Sequence, residues 1–131
     1  MVLSSGLYGK SEMVILKFDY SDCKFETLYE QKLDSKYFAE GATYARVGSV
    51  DLIYQLTYKE NQVLVWDLQM LDKAKSKLSE VKSMPQGNSL RQGWGLAYRK
   101  PVNSKRLGEI GELYATDGSS NIYVIDPIKW E

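Results

Sequence analysis

YKENQVLVWD, residues 58–67, decides the fold. Its first four residues are turn chemistry, and QVLVWD carries apolar residues up to a closing Asp67, the pattern of a β-strand leaving a hairpin. The same device occurs twice more. Tyr8-Gly-Lys-Ser11 precedes Val14-Ile-Leu-Lys-Phe-Asp19, and Asp117-Gly-Ser-Ser-Asn121 precedes Ile122-Tyr-Val-Ile-Asp126. The closing aspartates Asp19, Asp67 and Asp126 recur roughly every 50 residues, the spacing of a propeller blade. A second register repeats as well: Glu40-Gly-Ala-Thr-Tyr44 aligns with Trp94-Gly-Leu-Ala-Tyr98.

These repeats predict an all-β chain built as a β-propeller, with strands 41–46, 51–58 and 62–68 and an outer strand near 74–81 forming one complete blade over 36–83. The segment LDKAKSKLSEV (71–81) also has helical spacing at Leu71, Ala74, Leu78 and Val81, so a helix there remains open. Strands near 2–8, 12–19 and 25–33 predict a partial blade over 1–35 without its inner strand. Strands 94–98, 111–116 and 121–126 predict another partial blade over 93–131. Two to three blades do not close a ring, since propellers use about 4–8. The expectation is a portion of a longer product, or a ring that further chains complete.

Composition narrows the chemistry. Seventeen basic and seventeen acidic residues cancel, so no net field attracts nucleic acid or an anionic membrane, and neither is expected as a partner. No apolar run of about 20 residues predicts a membrane span. Cys23 is the single cysteine and histidine is absent. Without histidine there is no Ser-His or Cys-His triad and no His-ligated metal site. The expectation for cofactors is none. Acid–base chemistry then falls to carboxylates, tyrosines or lysines. Gly93-Trp-Gly95 has no third glycine at Tyr98 and no helix after it, which rejects a dinucleotide fingerprint. DGSSN (117–121) lacks calcium-loop spacing and reads as a hairpin turn.

In a propeller the inner strands line the channel, and the loops at one rim form the usual site. Glu40 and Trp94 each stand before a glycine that starts an inner strand, and the repeat aims both at one mouth from adjacent blades. Spacing alone also allows a solvated turn glutamate and a structural tryptophan between blades. Tyr58, beside a turn, suits core packing or rim display equally.

SSGLYGKS (4–11), YFAEG (37–41), YQLTYKE (54–60), GWGL (93–96) and ATDGSSNIYVIDP (115–127), in this order, resemble the motifs of plant and bacterial glutaminyl-peptide cyclotransferases, also called glutamine cyclotransferases. The resemblance covers nearly the whole chain. It implies a five-bladed propeller and a reaction in which the N-terminal glutamine of a peptide or protein closes to pyroglutamate and releases ammonia, without a metal. It implies that Glu40 moves protons and that Phe38 and Trp94 are pocket aromatics. Tyr58 stands where the family's LTW motif carries a further pocket tryptophan, and Ala39 replaces a glycine of its YFGEG. The family's FTQGL strand would precede Met1, and its later blades, with a pocket asparagine, tryptophan and lysine, would follow Glu131. A different class of function is compatible with the same fold: a non-catalytic propeller serving as a binding or assembly scaffold.

Overall fold

The computed structural model describes residues 1–71, 78–85, 92–101 and 110–131. Ten strands form three antiparallel sheets among these residues. The first contains β1 (Val2–Ser5), β2 (Glu12–Asp19) and β3 (Lys24–Lys32), in that order. The second runs β4 (Ala39–Val47), β5 (Val50–Thr57), β6 (Gln62–Asp67) and β7 (Glu80–Ser83). The third runs β8 (Leu96–Arg99), β9 (Glu112–Thr116) and β10 (Ile122–Ile125).

Each sheet is a meander, and its short connections are turn sequences. Gly48 joins β4 to β5 in a two-residue turn at φ 62°, a left-handed conformation that glycine adopts without a Cβ penalty. Asn61, at φ 53°, plays the corresponding part just before β6. The outer strand of the second sheet lies later than its expected place near 74–81. One helical turn, Leu68–Leu71, follows β6, and the strand begins only at Glu80. Residues 72–77, on which most of the strand-or-helix question turned, lie outside the described residues.

The sheets stack face to face. Met13, with Val2 and Ile15 beside it, packs from the first sheet on Ile53, Leu64 and Trp66 of the second. The alternate residues of the second sheet, Tyr54, Leu56, Val63 and Val65, pack on Leu113, Ala115 and Ile125 of the third. Both faces of β5 and β6 are therefore covered, which is why their sequences are almost continuously apolar. Each such side chain contributes about 1.5–3 kcal/mol through burial.

A long polar side chain lies within this core. Gln55 is fully buried and satisfied: its Nε2 donates to Ser4 Oγ at 2.8 Å and to the Glu12 carbonyl at 3.3 Å, and its Oε1 accepts the Trp66 indole N–H at 3.2 Å.

The three sheets close no ring. Ile122 and Val124 hold the places in β10 that Val63 and Val65 hold in β6, four and two residues before the closing aspartate. Val63 and Val65 are buried under the third sheet, whereas Ile122 is 65% and Val124 48% exposed. On the first sheet Leu16 and Phe18, with the exposed Phe25 and Leu28, border an apolar cleft of about 630 Å³. The architecture is a partial, blade-like β assembly with an apolar outer face at each end.

Candidate functional site

The site forms where β4 meets both neighbouring sheets: β1 contacts β4, and β4 contacts β8. Ala39 pairs with Thr57 and Ala42 with Gln55, so Glu40 and Gly41 together oppose Leu56 alone. This is a β-bulge, which re-aims side chains locally. Glu40 is thus inside the strand, at its irregularity, and not in a turn that precedes it.

Two backbone N–H groups on the open edge of β4 flank Glu40, and each is taken by a different sheet. The Ala39 N–H donates to Ser11 Oγ at 3.1 Å, from the first sheet's β1–β2 turn. The Gly41 N–H donates to the Trp94 carbonyl at 2.7 Å, from the segment entering β8. A Cβ on Gly41 would lie 2.5 Å from that carbonyl oxygen and 2.6 Å from the Leu96 nitrogen, so this approach requires glycine.

Trp94 stands just before β8. Its N–H donates to the Thr116 carbonyl at 3.0 Å, and its ring rests over Gly118, where a Cβ would come within 3.3 Å. The indole is half exposed, and its N–H donates to Gln92 Oε1 at 3.1 Å. Phe38 is held between two tyrosines. Tyr8 meets it edge-on, with ring centroids 5.2 Å apart, and Tyr58 lies at 5.3 Å, tilted by 47°. The Tyr58 N–H donates to the Phe38 carbonyl at 2.8 Å, and the Gly93 N–H to the Tyr58 carbonyl at 2.6 Å. Backbone hydrogen bonds thereby join the Phe38 wall to the Trp94 wall.

Between these walls is a cleft of about 500 Å³ lined by Phe38, Glu40 and Trp94, with Val2–Ser4 and Gly6 on the first-sheet side. Of the four residues singled out in the sequence, three share this cleft. Tyr58 does not line it but backs Phe38 from behind. Among the described residues, Glu40 is the only ionisable side chain in the lining. Burial raises its pKa above the ordinary carboxylate value, and its carboxylate has no hydrogen-bond or ion-pair partner among the described residues. No group of three or more Cys, Asp or Glu side chains is placed to hold a metal ion among the described residues.

Sequence reasoning missed the contribution of Gly6, Tyr8 and Ser11. The stretch SSGLYGKS read as a turn and as a family motif, with no site role for these residues, although its two glycines are a signal of close backbone approach. Gln92 was also missed. Residues 86–91 and 102–109, within the long connections before β8 and after it, lie outside the described residues.

No curated protein matches the chain. The glutamine cyclotransferase family, a family of transferase-type enzymes, matches it from residue 1 to residue 131. The chain belongs to the glutamine cyclotransferase family.

Proposed function

We propose that the chain provides the proton-transfer side of a glutaminyl-peptide cyclotransferase site, acting on peptides or proteins with an N-terminal glutamine. In this reading the three sheets are successive propeller blades, over 1–35, 36–83 and 93–131. The observation that carries the proposal is the Glu40 carboxyl, unpartnered among the described residues and partly buried between Phe38 and Trp94 with a raised pKa.

The α-amine and the γ-amide carbon belong to one residue, so they are already tethered and the site need only hold a near-attack rotamer. As the amine nitrogen bonds to the amide carbon, the Glu40 carboxylate takes its proton. The same carboxyl then gives that proton to the amide nitrogen, the carbon–nitrogen bond breaks, and ammonia leaves. Atoms balance with no co-reactant: glutaminyl peptide becomes pyroglutamyl peptide plus ammonia, and Glu40 returns to its starting state.

A carboxyl with a raised pKa both accepts and returns a proton more readily near neutral pH. The Trp94 indole is a donor only and suits the amide oxygen as negative charge develops there. Phe38, backed by Tyr58, limits the water that would otherwise hydrolyse the amide.

The test is ammonia release from a Gln-initiated peptide. Glu40→Gln is expected to lower kcat/KM by at least about a hundredfold, the lower end for acid–base groups. A variant that releases ammonia at the wild-type rate overturns the assignment and favours a scaffold that kept the fold.

A further inference from the structure

The turn between β1 and β2 reaches the site without contributing a charged or catalytic group to it. Three of its residues bear on the strand that carries Glu40. Gly6 lies so close that a Cβ there would strike the Ala39 carbonyl and the Phe38 ring. Tyr8 presents its ring edge to Phe38 and donates its hydroxyl to Glu60 Oε1 at 2.9 Å, which ties the first sheet to the β5–β6 turn of the second. Ser11 is buried, and its hydroxyl is used to capacity. It donates to the Leu7 carbonyl at 3.0 Å and accepts the Leu7 N–H at 3.0 Å and the Ala39 N–H at 3.1 Å.

We infer that the Gly6–Ser11 turn is a positioning clamp for Phe38–Glu40, with Ser11 fixing the backbone beside Glu40 and Tyr8 fixing the Phe38 ring. The geometry supports a specific role over general packing. Ser11 takes the N–H of the residue immediately before Glu40, at the bulge that aims its carboxylate. Tyr8 contacts the one aromatic that closes the first-sheet side of the cleft, yet it is itself half exposed and adds little to the core. Loosening either contact lets water reach Glu40 beside Phe38 while leaving the stacked sheets intact.

The catalytic consequence rests on the cyclotransferase reading, but the clamp has a test of its own. Val2, Leu3, Ser4, Gly6, Phe38, Ala42 and Trp94, which face Glu40 across the cleft, carry no ionisable group, so its titration reports the local water directly. The full chain with ¹³C-labelled glutamate is titrated by NMR, and the Glu40 signal is assigned by its loss in Glu40→Gln. In Tyr8→Leu and Ser11→Ala the Glu40 pKa is expected to fall toward the ordinary value of 4.5, with the circular dichroism spectrum retained.

Tyr8→Phe keeps the ring contact and should leave the Glu40 pKa near wild type. In turnover, kcat should fall about tenfold in Tyr8→Leu with KM little changed, and the acid limb of the pH–rate profile should move down with the NMR value. An unchanged Glu40 pKa in folded Tyr8→Leu overturns the clamp. Tyr8 is a surface residue, so this variant remains informative if Ser11→Ala fails to fold. A wild-type protein that releases no ammonia overturns the cyclotransferase reading instead, and the titration still decides the clamp.

Discussion

The Trp94 indole N–H donates to the side-chain amide oxygen of Gln92 at 3.1 Å, so a primary carboxamide already sits on the donor assigned to the substrate's amide. On the proposed reading, a glutaminyl substrate has to displace it. Gln92→Ala is expected to lower KM by about fivefold with kcat unchanged, the worth of one neutral hydrogen bond of about 1 kcal/mol. Steady-state kinetics on a Gln-peptide check this, and an unaltered KM removes Gln92 as a competitor.

On the proposed reading, Glu40 links activity to pH-dependent stability. Its pKa in the fold is raised from 4.5, so the folded state binds this proton more tightly than the unfolded chain does. The charged form therefore costs stability above the raised value. That cost fades as pH falls through the raised value and is gone below 4.5. Glu40→Gln should accordingly raise the thermal midpoint slightly at pH 7–8 and leave it unchanged near pH 4. A variant less stable than wild type at neutral pH contradicts the desolvated carboxylate.

Gly41 has no room for a side chain against the Trp94 carbonyl. Gly41→Ala should separate β4 from the 93–95 segment, costing about 1–3 kcal/mol, the usual range for overpacking. The Phe38–Glu40 and Trp94 walls would part with it. Urea unfolding measures the cost, and a midpoint equal to wild type shows that the approach is not tight.

Apolar residues of the covered second sheet and of the uncovered face of the third should differ sharply in energetic weight. Ile53→Ala, in the covered second sheet, is expected to cost about 2–5 kcal/mol. Ile122→Ala, on the uncovered face of the third sheet, should stay within about 0.5 kcal/mol. Ile122→Lys with Val124→Lys should also reduce binding of an apolar fluorescent dye. Dye fluorescence equal to wild type would show that this face is not open to solvent.

The fold was largely legible because each strand follows a turn whose chemistry is local. The run 62–67 was readable from the turn before it, its short apolar run and its closing Asp67, and its counterparts in β2 and β10 from the same signature. The strand near 74–81 was misplaced because the segment carries no two-residue alternation, and its apolar residues follow helical spacing instead. At the site, repeat spacing placed Glu40 beside a glycine but not at a bulge. A bulge depends on how β4 registers against β5, which only pairing reveals. Ser11 was invisible for the same reason: its partner is a backbone N–H 28 residues away. Gln92 meets Trp94 only two residues away, yet a surface glutamine carries no signal of its own.

Stacking the sheets like slices also sets the order in which the molecule comes apart. The middle sheet is sheltered on both faces and should hold its amide protons longest in hydrogen exchange, while the flanking sheets open first. The tethers beside Glu40 come from those flanking sheets, through Ser11 and Trp94. Mild denaturant should therefore dismantle the cleft while the middle sheet is still folded, so loss of the site precedes loss of the core.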